Sequence, residues 1–330
     1  MTNYRDAKYT FPTVTFSGVA ESSPVEGNIW YDSGKFYLGT SQTFSSVWSS
    51  GDNLSVAKYG PAGAGTQSAG LCIGGYYGGG PTTTTEEYNG TAWSLGGVMG
   101  TTRHYLPACG TQDAALAIGG WTGSFTNTCE EYNGTAWSAG GSTSGNVINH
   151  AAAGTQTAGL EFGGYGPANQ TQEYDGSSWS SGGNLATARD YLGGCGTQSA
   201  ALSMGGSNSA SSSAALNPSP TEEYNGTSWS AGGNLGTPRW GMACGGTQSA
   251  AFAAAGDVNA TVSNVTEEYN GTAWSAGGNV ITARNNVAGC GTQTAGLSMG
   301  GYAGGASNST EEYSAGPGSY DELFNAVGGL

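Results

Sequence analysis

Residues 266–278 read Thr266-Glu267-Glu268-Tyr269-Asn270-Gly271-Thr272-Ala273-Trp274-Ser275-Ala276-Gly277-Gly278. A short run ends in Tyr, a second run carries Trp, and Asn-Gly lies between them. Asn-Gly between two apolar-bearing runs is a strong hairpin signal, because both central residues of that turn need φ > 0. The predicted pair is therefore one strand over 266–269 and another through Trp274. Ten residues beyond Trp274 stands Arg284, and seventeen beyond it begins Gly291-Thr292-Gln293.

Working outward, the same order recurs along the chain. Gly-Thr-Gln starts at Gly65, Gly110, Gly154, Gly196, Gly246 and Gly291, at spacings of 45, 44, 42, 50 and 45 residues. A Trp (Trp48, Trp93, Trp137, Trp179, Trp229, Trp274) precedes each by 17 residues. A small apolar run ending in Gly follows each Gly-Thr-Gln, and then comes Glu-Glu-Tyr or its variant, ending at Tyr88, Tyr132, Tyr174, Tyr224, Tyr269 and Tyr313. Units of this length with turn signals between short strands predict propeller blades. Strand a is predicted through segments such as 189–192, strand b is the small apolar run, strand c ends in Tyr, and strand d carries Trp.

The ends of the array fix the closure. It opens on a d-type segment at Trp48 and closes on a c-type segment at Tyr313, with no Trp after it. The fold class is all-β, a six-bladed propeller over 46–313. Its ring closes by Val47-Trp48-Ser49 lying beside Glu311-Glu312-Tyr313, so no propeller edge is left open. Residues 1–45 form an arm with a hairpin over 27–38 that turns at Asp32–Lys35. Residues 314–330 form a tail in which 320–327 make one or two helical turns, with Leu323, Phe324 and Val327 on one face.

Composition bounds the function. The 330 residues include 61 Gly, and only 8 are Lys or Arg against 23 Asp or Glu, a net charge of −15. Phosphate binding needs cations, so a nucleic-acid partner is not expected. No apolar run approaches the roughly 18 residues of a membrane span, and no signal peptide is expected at the start.

Several repeated positions invite chemistry. Ten residues after each Trp stands a cation, Lys58, Arg103, Arg189, Arg239 or Arg284, except in the third unit, which has Val147. The first acidic residue of strand c is Glu86, Glu130, Glu222, Glu267 or Glu311, and again the third unit departs, with Gln172. Loss of both charges in one repeat predicts that the cation and that Glu form an ion pair within each blade. A carboxylate repeated in every blade argues for architecture, because a catalytic site needs asymmetry. The two His, His104 and His150, stand at non-equivalent offsets and form no metal pattern. Cys109, Cys195 and Cys290 share one repeat position, which places them in alternate blades, too far apart to bridge. Asn-Gly-Thr matches a glycosylation sequon, but the turn accounts for it.

Length varies only between strands b and c. From the last Gly of b to the first acidic position the separations are 11, 10, 8, 16, 11 and 10 residues. The longest of these loops, 207–221, holds Ser207, Asn217 and two Pro. Aromatic residues stand in or beside these loops, namely Tyr76, Tyr77, Trp121, Phe125, Tyr165 and Tyr302. Variable loops on a rigid scaffold commonly carry binding, and flat rings among Ser, Asn and Gly suit sugars. These residues, with Ser207 and Asn217, are the candidate ligand-binding set.

Gly-Gly after strand b, then Tyr, then Trp, then a cation opening strand a resembles the kelch repeat. The Gly-Thr-Gln and Glu-Glu-Tyr-Asn-Gly-Thr units, with the 27–38 hairpin leading into them, also resemble segments of tail-fibre and other virion proteins of marine bacteriophages. These resemblances imply a non-enzymatic virion protein, a fibre, tail appendage or capsid decoration, with no cofactor. Its expected partners are other virion proteins, held through the arm and the tail, and a host-surface glycan or protein held by the loops. Assembly as a homo-oligomer or in many copies is expected, and the location is the virion. The alternatives are a purely structural decoration or spacer, and an enzyme like galactose oxidase. The latter resemblance would require a copper site with two His and two Tyr ligands, one Tyr cross-linked to Cys, whereas the two His of this chain stand at non-equivalent offsets and no second domain is left to complete such a site.

Overall fold

In the computed structural model, the described residues are 29–32, 35–38, 46–145, 147–165, 169–207 and 220–315. Ile29–Asp32 and Lys35–Leu38 form an antiparallel hairpin with Asp32 opposite Lys35, as the sequence predicts. The helical turns expected at 320–327 lie outside the described residues, as do most of the arm and of the 207–221 loop.

Residues 46–315 build six four-stranded antiparallel sheets, a six-bladed β-propeller. Blade 1 runs Ala62–Thr66 (a), Ala69–Ile73 (b), Thr85–Tyr88 (c) and Trp93–Leu95 (d). Blades 2 to 5 repeat that order. Blade 6 takes Ala288–Thr292, Ala295–Met299 and Thr310–Ser314 from one end of the array and Val47–Ser50 from the other. Trp48 stands opposite Tyr313 and Ser50 opposite Glu311, so the expected closure is present.

Strand a is innermost, since each one touches strand a of both neighbouring blades and the cycle closes from blade 6 to blade 1. Crowding there explains the small residues. A Cβ on Gly63 would sit 2.6 Å from the carbonyl oxygen of Gly289 in the next inner strand. The apolar core is divided among the blade interfaces. Leu71 and Ile73 of blade 1 pack with Ala115, Ala117 and Tyr132 of blade 2. Trp48, Phe252, Val280, Val287 and Tyr313 fill the interface of blades 5 and 6.

Three polar contacts repeat at the interfaces, each reaching back to the preceding blade. The Gln of Gly-Thr-Gln donates to two carbonyls, as Gln67 does to Gly296 (3.0 Å) and Tyr313 (2.8 Å). The Tyr that ends strand c donates to the second Glu of the blade before it, as in Tyr174 to Glu131 and Tyr269 to Glu223 (2.6 and 2.7 Å). Tyr88 does the same to Glu312 across the closure. The Trp indole N–H donates to the Thr that opens the preceding strand c, as Trp137 does to Thr85 (2.9 Å). Blade 2 has Cys129 in place of that Thr, and Trp179 turns instead to the Gly141 carbonyl (2.7 Å).

Two local expectations need correction. Strand a begins later than predicted. In blade 4 it is Gly193–Thr197, and residues 189–192 lead into it. The reason is Tyr191, whose φ of 51° breaks an extended run. The c–d turn also differs from a two-residue Asn-Gly turn. Tyr269 stands opposite Trp274, with four residues between them, and only Gly271 has positive φ. Asn270 serves through its side chain, whose oxygen accepts from the N–H of Thr272 (3.0 Å) and Ala273 (2.9 Å).

Trp48→Ala removes the N-terminal strand's main anchor. It should cost about 3–5 kcal/mol, read from the shift of the urea midpoint. Ala92→Ser, at an exposed c–d turn where blade 4 already carries Ser228, should change stability by less than about 0.5 kcal/mol. Equal midpoints for the two variants would contradict the role of the closing strand.

Candidate functional site

The residue twelve positions after each Trp is left-handed in all six blades: Gly60, Tyr105, Asn149, Tyr191, Gly241 and Asn286 have φ between 49° and 62°. These residues form a ring through their backbones. Tyr105 N–H donates to Gly60 O (2.8 Å), Asn149 to Tyr105 (3.2 Å), Tyr191 to Asn149 (2.7 Å) and Gly241 to Tyr191 (3.0 Å). Gly60 N–H donates to Asn286 O (2.9 Å), and Val287 N–H to Gly241 O completes the circuit at 3.4 Å. The chain thus bends into an iris at one end of the propeller, where strand a starts and the b–c loops leave.

A wider belt surrounds this iris. The residue just before each left-handed one pairs with the first residue after the Gly-Gly of strand b. The pairs are Tyr59 with Tyr76, His104 with Trp121, Ile148 with Tyr165, Asp190 with Ser207, Trp240 with Asp257 and Asn285 with Tyr302. Directly opposed antiparallel residues place their side chains on one face. Contacts then run from blade to blade: Tyr59 to Tyr302 (ring centroids 5.9 Å), Tyr76 to His104 (5.2 Å) and Asn285 Nδ2 to Asp257 Oδ2 (3.0 Å). Six different residues occupy the first belt position, whereas the Trp, the Gly-Thr-Gln and the Tyr that ends strand c are the same in every repeat.

The belt has two chemical halves. Around blades 6, 1 and 2 it is aromatic: Tyr302, Tyr59, Tyr76, His104 and Tyr105, with Tyr59 and Tyr76 stacked at 5.1 Å. Around blades 3 to 5 lie Asn149, Asp190, Trp240 and Asp257, all buried. Burial raises the Asp190 carboxyl to about 6 and lowers His104 below the usual imidazole range. Among the described residues no salt bridge reaches either Asp. No group of three or more His, Cys, Asp or Glu among them is arranged to hold a metal.

Beneath the belt lie the five ion pairs expected from the sequence. Lys58–Glu86, Arg103–Glu130, Arg189–Glu222, Arg239–Glu267 and Arg284–Glu311 approach at 2.7, 2.9, 3.1, 3.2 and 3.0 Å, with every cation fully buried. Each pair also shapes the end of the blade. Arg103 donates to the carbonyls of Gly119 (3.1 Å) and Thr128 (2.8 Å), which clamps the two ends of a b–c loop. The second oxygen of Glu130 accepts from Gly100 N–H (2.6 Å) in the d–a connection. Because each cation immediately precedes a belt residue, the pair positions the belt.

Blade 3 solves the same problem without a cation. Gln172 keeps the loop contact, accepting from Ser144 N–H (2.8 Å), and donates to Glu161 in strand b (2.5 Å). Glu161 is wholly buried, and desolvation holds its carboxyl at about 8, so it carries its proton at neutral pH. His150 takes a position that is Pro, Leu, Leu, Met or Val in the other blades. Burial, aided by the Arg103 charge, pushes it down to about 3, so it is neutral.

Of the candidate ligand-binding residues, Tyr76, Trp121, Tyr165, Ser207 and Tyr302 prove to be belt residues at the base of the loops. Ser207 is buried, whereas Tyr77 stands out with 54% of its surface exposed. Phe125 packs on Trp121 and Tyr165, at 5.1 and 5.4 Å. Asn217 lies outside the described residues. The sequence reading overlooked Tyr59, Tyr105, Asp190, Tyr191, Trp240, Asp257 and Asn285. For Tyr59, Asp190, Trp240 and Asn285 the signal was available in the column one residue after the cation, where no two repeats agree. All six Cys are free thiols, and burial raises Cys72 to about 12 and Cys129 to about 11, which keeps them protonated and inert.

No protein-family model matches the chain, and no curated protein matches it in sequence.

Glu130→Gln leaves Arg103 charged and buried and should cost about 3–5 kcal/mol by urea unfolding, while Arg103→Met with Glu130→Gln should recover most of that loss. Glu161 gives a pH signature of known sign. The folded state keeps a proton that the unfolded chain releases above about 4.5, so this group's contribution falls as pH rises from there to about 8. Glu161→Gln should therefore stabilise the protein by on the order of 1–3 kcal/mol at pH 8 and by almost nothing at pH 4.5, as thermal melts at the two pH values would record.

Proposed function

We propose that the chain is a non-enzymatic attachment protein that holds a host-surface glycan at the varied end of its propeller. The observation that carries this reading is where the repeats differ. The interface Gln and Tyr, the c–d turns and the buried ion pairs repeat almost without change, while the first belt position has a different residue in every blade. Selection for a propeller alone places no such requirement on one end. A small ligand of definite shape on the axis would.

The chemistry of the belt suits a carbohydrate. Tyr59, Tyr76, Tyr105 and Tyr191 are half-buried and offer ring faces, and amides, hydroxyls and carboxylates stand beside them. Rings take the apolar face of a sugar while the polar neighbours take its hydroxyls. The likeness of the repeats to kelch units and to marine phage proteins sets the context: a fibre, tail appendage or capsid decoration of a virion. There the 1–45 arm and the 314–330 tail hold other virion proteins or further copies of the chain. The net charge of −15 fits particles that must not stick to one another.

Adsorption tests this reading. Soluble full-length protein should bind host cells or their isolated surface glycans. Tyr76→Ser, which installs the residue blade 4 has at Ser207, should weaken that binding by about tenfold, whereas Ala92→Ser at the opposite end should leave it unchanged. Unaltered adsorption by Tyr76→Ser together with Tyr59→Asn would refute the assignment of the varied end as the binding site.

A further inference from the structure

Resting on the glycan reading above, we propose that the ligand unit at the axis is an amino sugar with a free ammonium group, its ring on the tyrosines and its charge over the acidic half of the belt. The observation is a set of three unpartnered acceptors, beside which the single indole N–H of Trp240 is also unpartnered. Asn149 Oδ1, Asp190 Oδ1 and Asp257 Oδ1 are buried and have no hydrogen-bond partner. They belong to three consecutive blades, and their residues are 8%, 8% and 5% exposed. Buried polar atoms left unpaired are costly, so such a set calls for a donor from outside the chain. An ammonium brings three N–H donors and the positive charge that two carboxylates lack. The five cations beneath the belt are each matched to a Glu of their own.

Other ligand chemistries fit less well. An anion would meet Asp190 and Asp257 with no Lys or Arg at the rim among the described residues. A divalent metal finds no group of three suitable ligands among the described residues. A neutral sugar could stack on the rings but would leave the carboxylates short of charge. The ring path joins the two halves: Tyr59 meets Tyr105 (6.2 Å), Tyr105 meets Tyr191 (5.8 Å), and Tyr191 meets Trp240 (4.9 Å), which faces Asp257 across one β-bridge. A pyranose with its amine one bond from the ring spans adjacent stacking and acidic surfaces. A lysine side chain offers the charge but no flat face to stack, which favours the sugar over a basic peptide.

The experiment is calorimetric titration of the full chain with glucosamine oligosaccharides, with the N-acetylated oligosaccharides of equal length, and with an oligolysine peptide. The free-amine sugar should bind about tenfold or more tightly than its acetylated form. Asp190→Asn and Asp257→Asn should each erase most of that preference without lowering the thermal melt. The first installs the residue that blade 6 has at the equivalent position (Asn285), and the second keeps a side-chain oxygen to accept from Asn285 Nδ2. Equal binding of both sugars, or a preference that survives both substitutions, overturns the ammonium assignment while leaving the glycan reading intact. Oligolysine binding more tightly than the amino sugar overturns it in favour of a basic peptide. Binding of neither sugar overturns it as well, and if Tyr76→Ser also leaves host adsorption unchanged, the glycan reading falls separately.

Discussion

The closure of the ring governs everything else in this fold. A propeller blade buries its faces only against neighbours, so an open array would leave one interface bare at each end. Here the polypeptide's first propeller strand completes the last blade, with Trp48 against Tyr313. Every clasp then finds its target. The Gln, Tyr and Trp of blade 1 reach back to blade 6 just as those of blade 2 reach back to blade 1. The clasps all point the same way around the ring, so no blade lacks a partner to hold or a partner that holds it. With few large aliphatic residues in the chain, this circuit of polar contacts and buried Tyr rings supplies the specificity that a conventional core would obtain from Leu and Ile packing.

The buried ion pairs connect that scaffold to its varied end. A buried pair of charges adds little net stability, since desolvation offsets most of the attraction. Its value here is positional. The guanidinium ties both ends of a b–c loop, the carboxylate ties the d–a connection, and the next residue along is a belt residue. Blade 3 shows how much of this is required. Without a cation it keeps the loop contact through Gln172 and neutralises Glu161 with a proton instead of an arginine. Its b–c loop is also the shortest in the ring, so there is less to clamp.

Much of this was legible from residue order. Periodic Trp, Tyr and Gly-Thr-Gln determined the blade count, the unmatched ends determined the closure, and the joint departure of Val147 and Gln172 revealed the ion pairs. What escaped depended on backbone geometry that no single residue type marks. The left-handed position holds Gly, Tyr and Asn in different blades, so its shared conformation is invisible until six φ values are compared. The inter-blade role of the second Glu was hidden because its partner Tyr lies about 45 residues away, on the next blade. Asp257 gave no signal, and the varied column that holds Asp190 does not by itself declare that the ring brings the two carboxylates to one end.

The uniform clasps have one more implication. Since every interface has the same Gln and Tyr clasps, and all but that of blades 2 and 3 the Trp-to-Thr clasp, blades can sit beside one another with little new fastening chemistry. Each blade nevertheless delivers its own three residues to the mouth, one to the iris and two to the belt. Exchange of a single repeat would therefore rewrite a sector of the mouth while leaving the ring of sheets in place. The molecule is organised as a set of cassettes whose combination, not whose loops alone, defines the chemistry of the mouth.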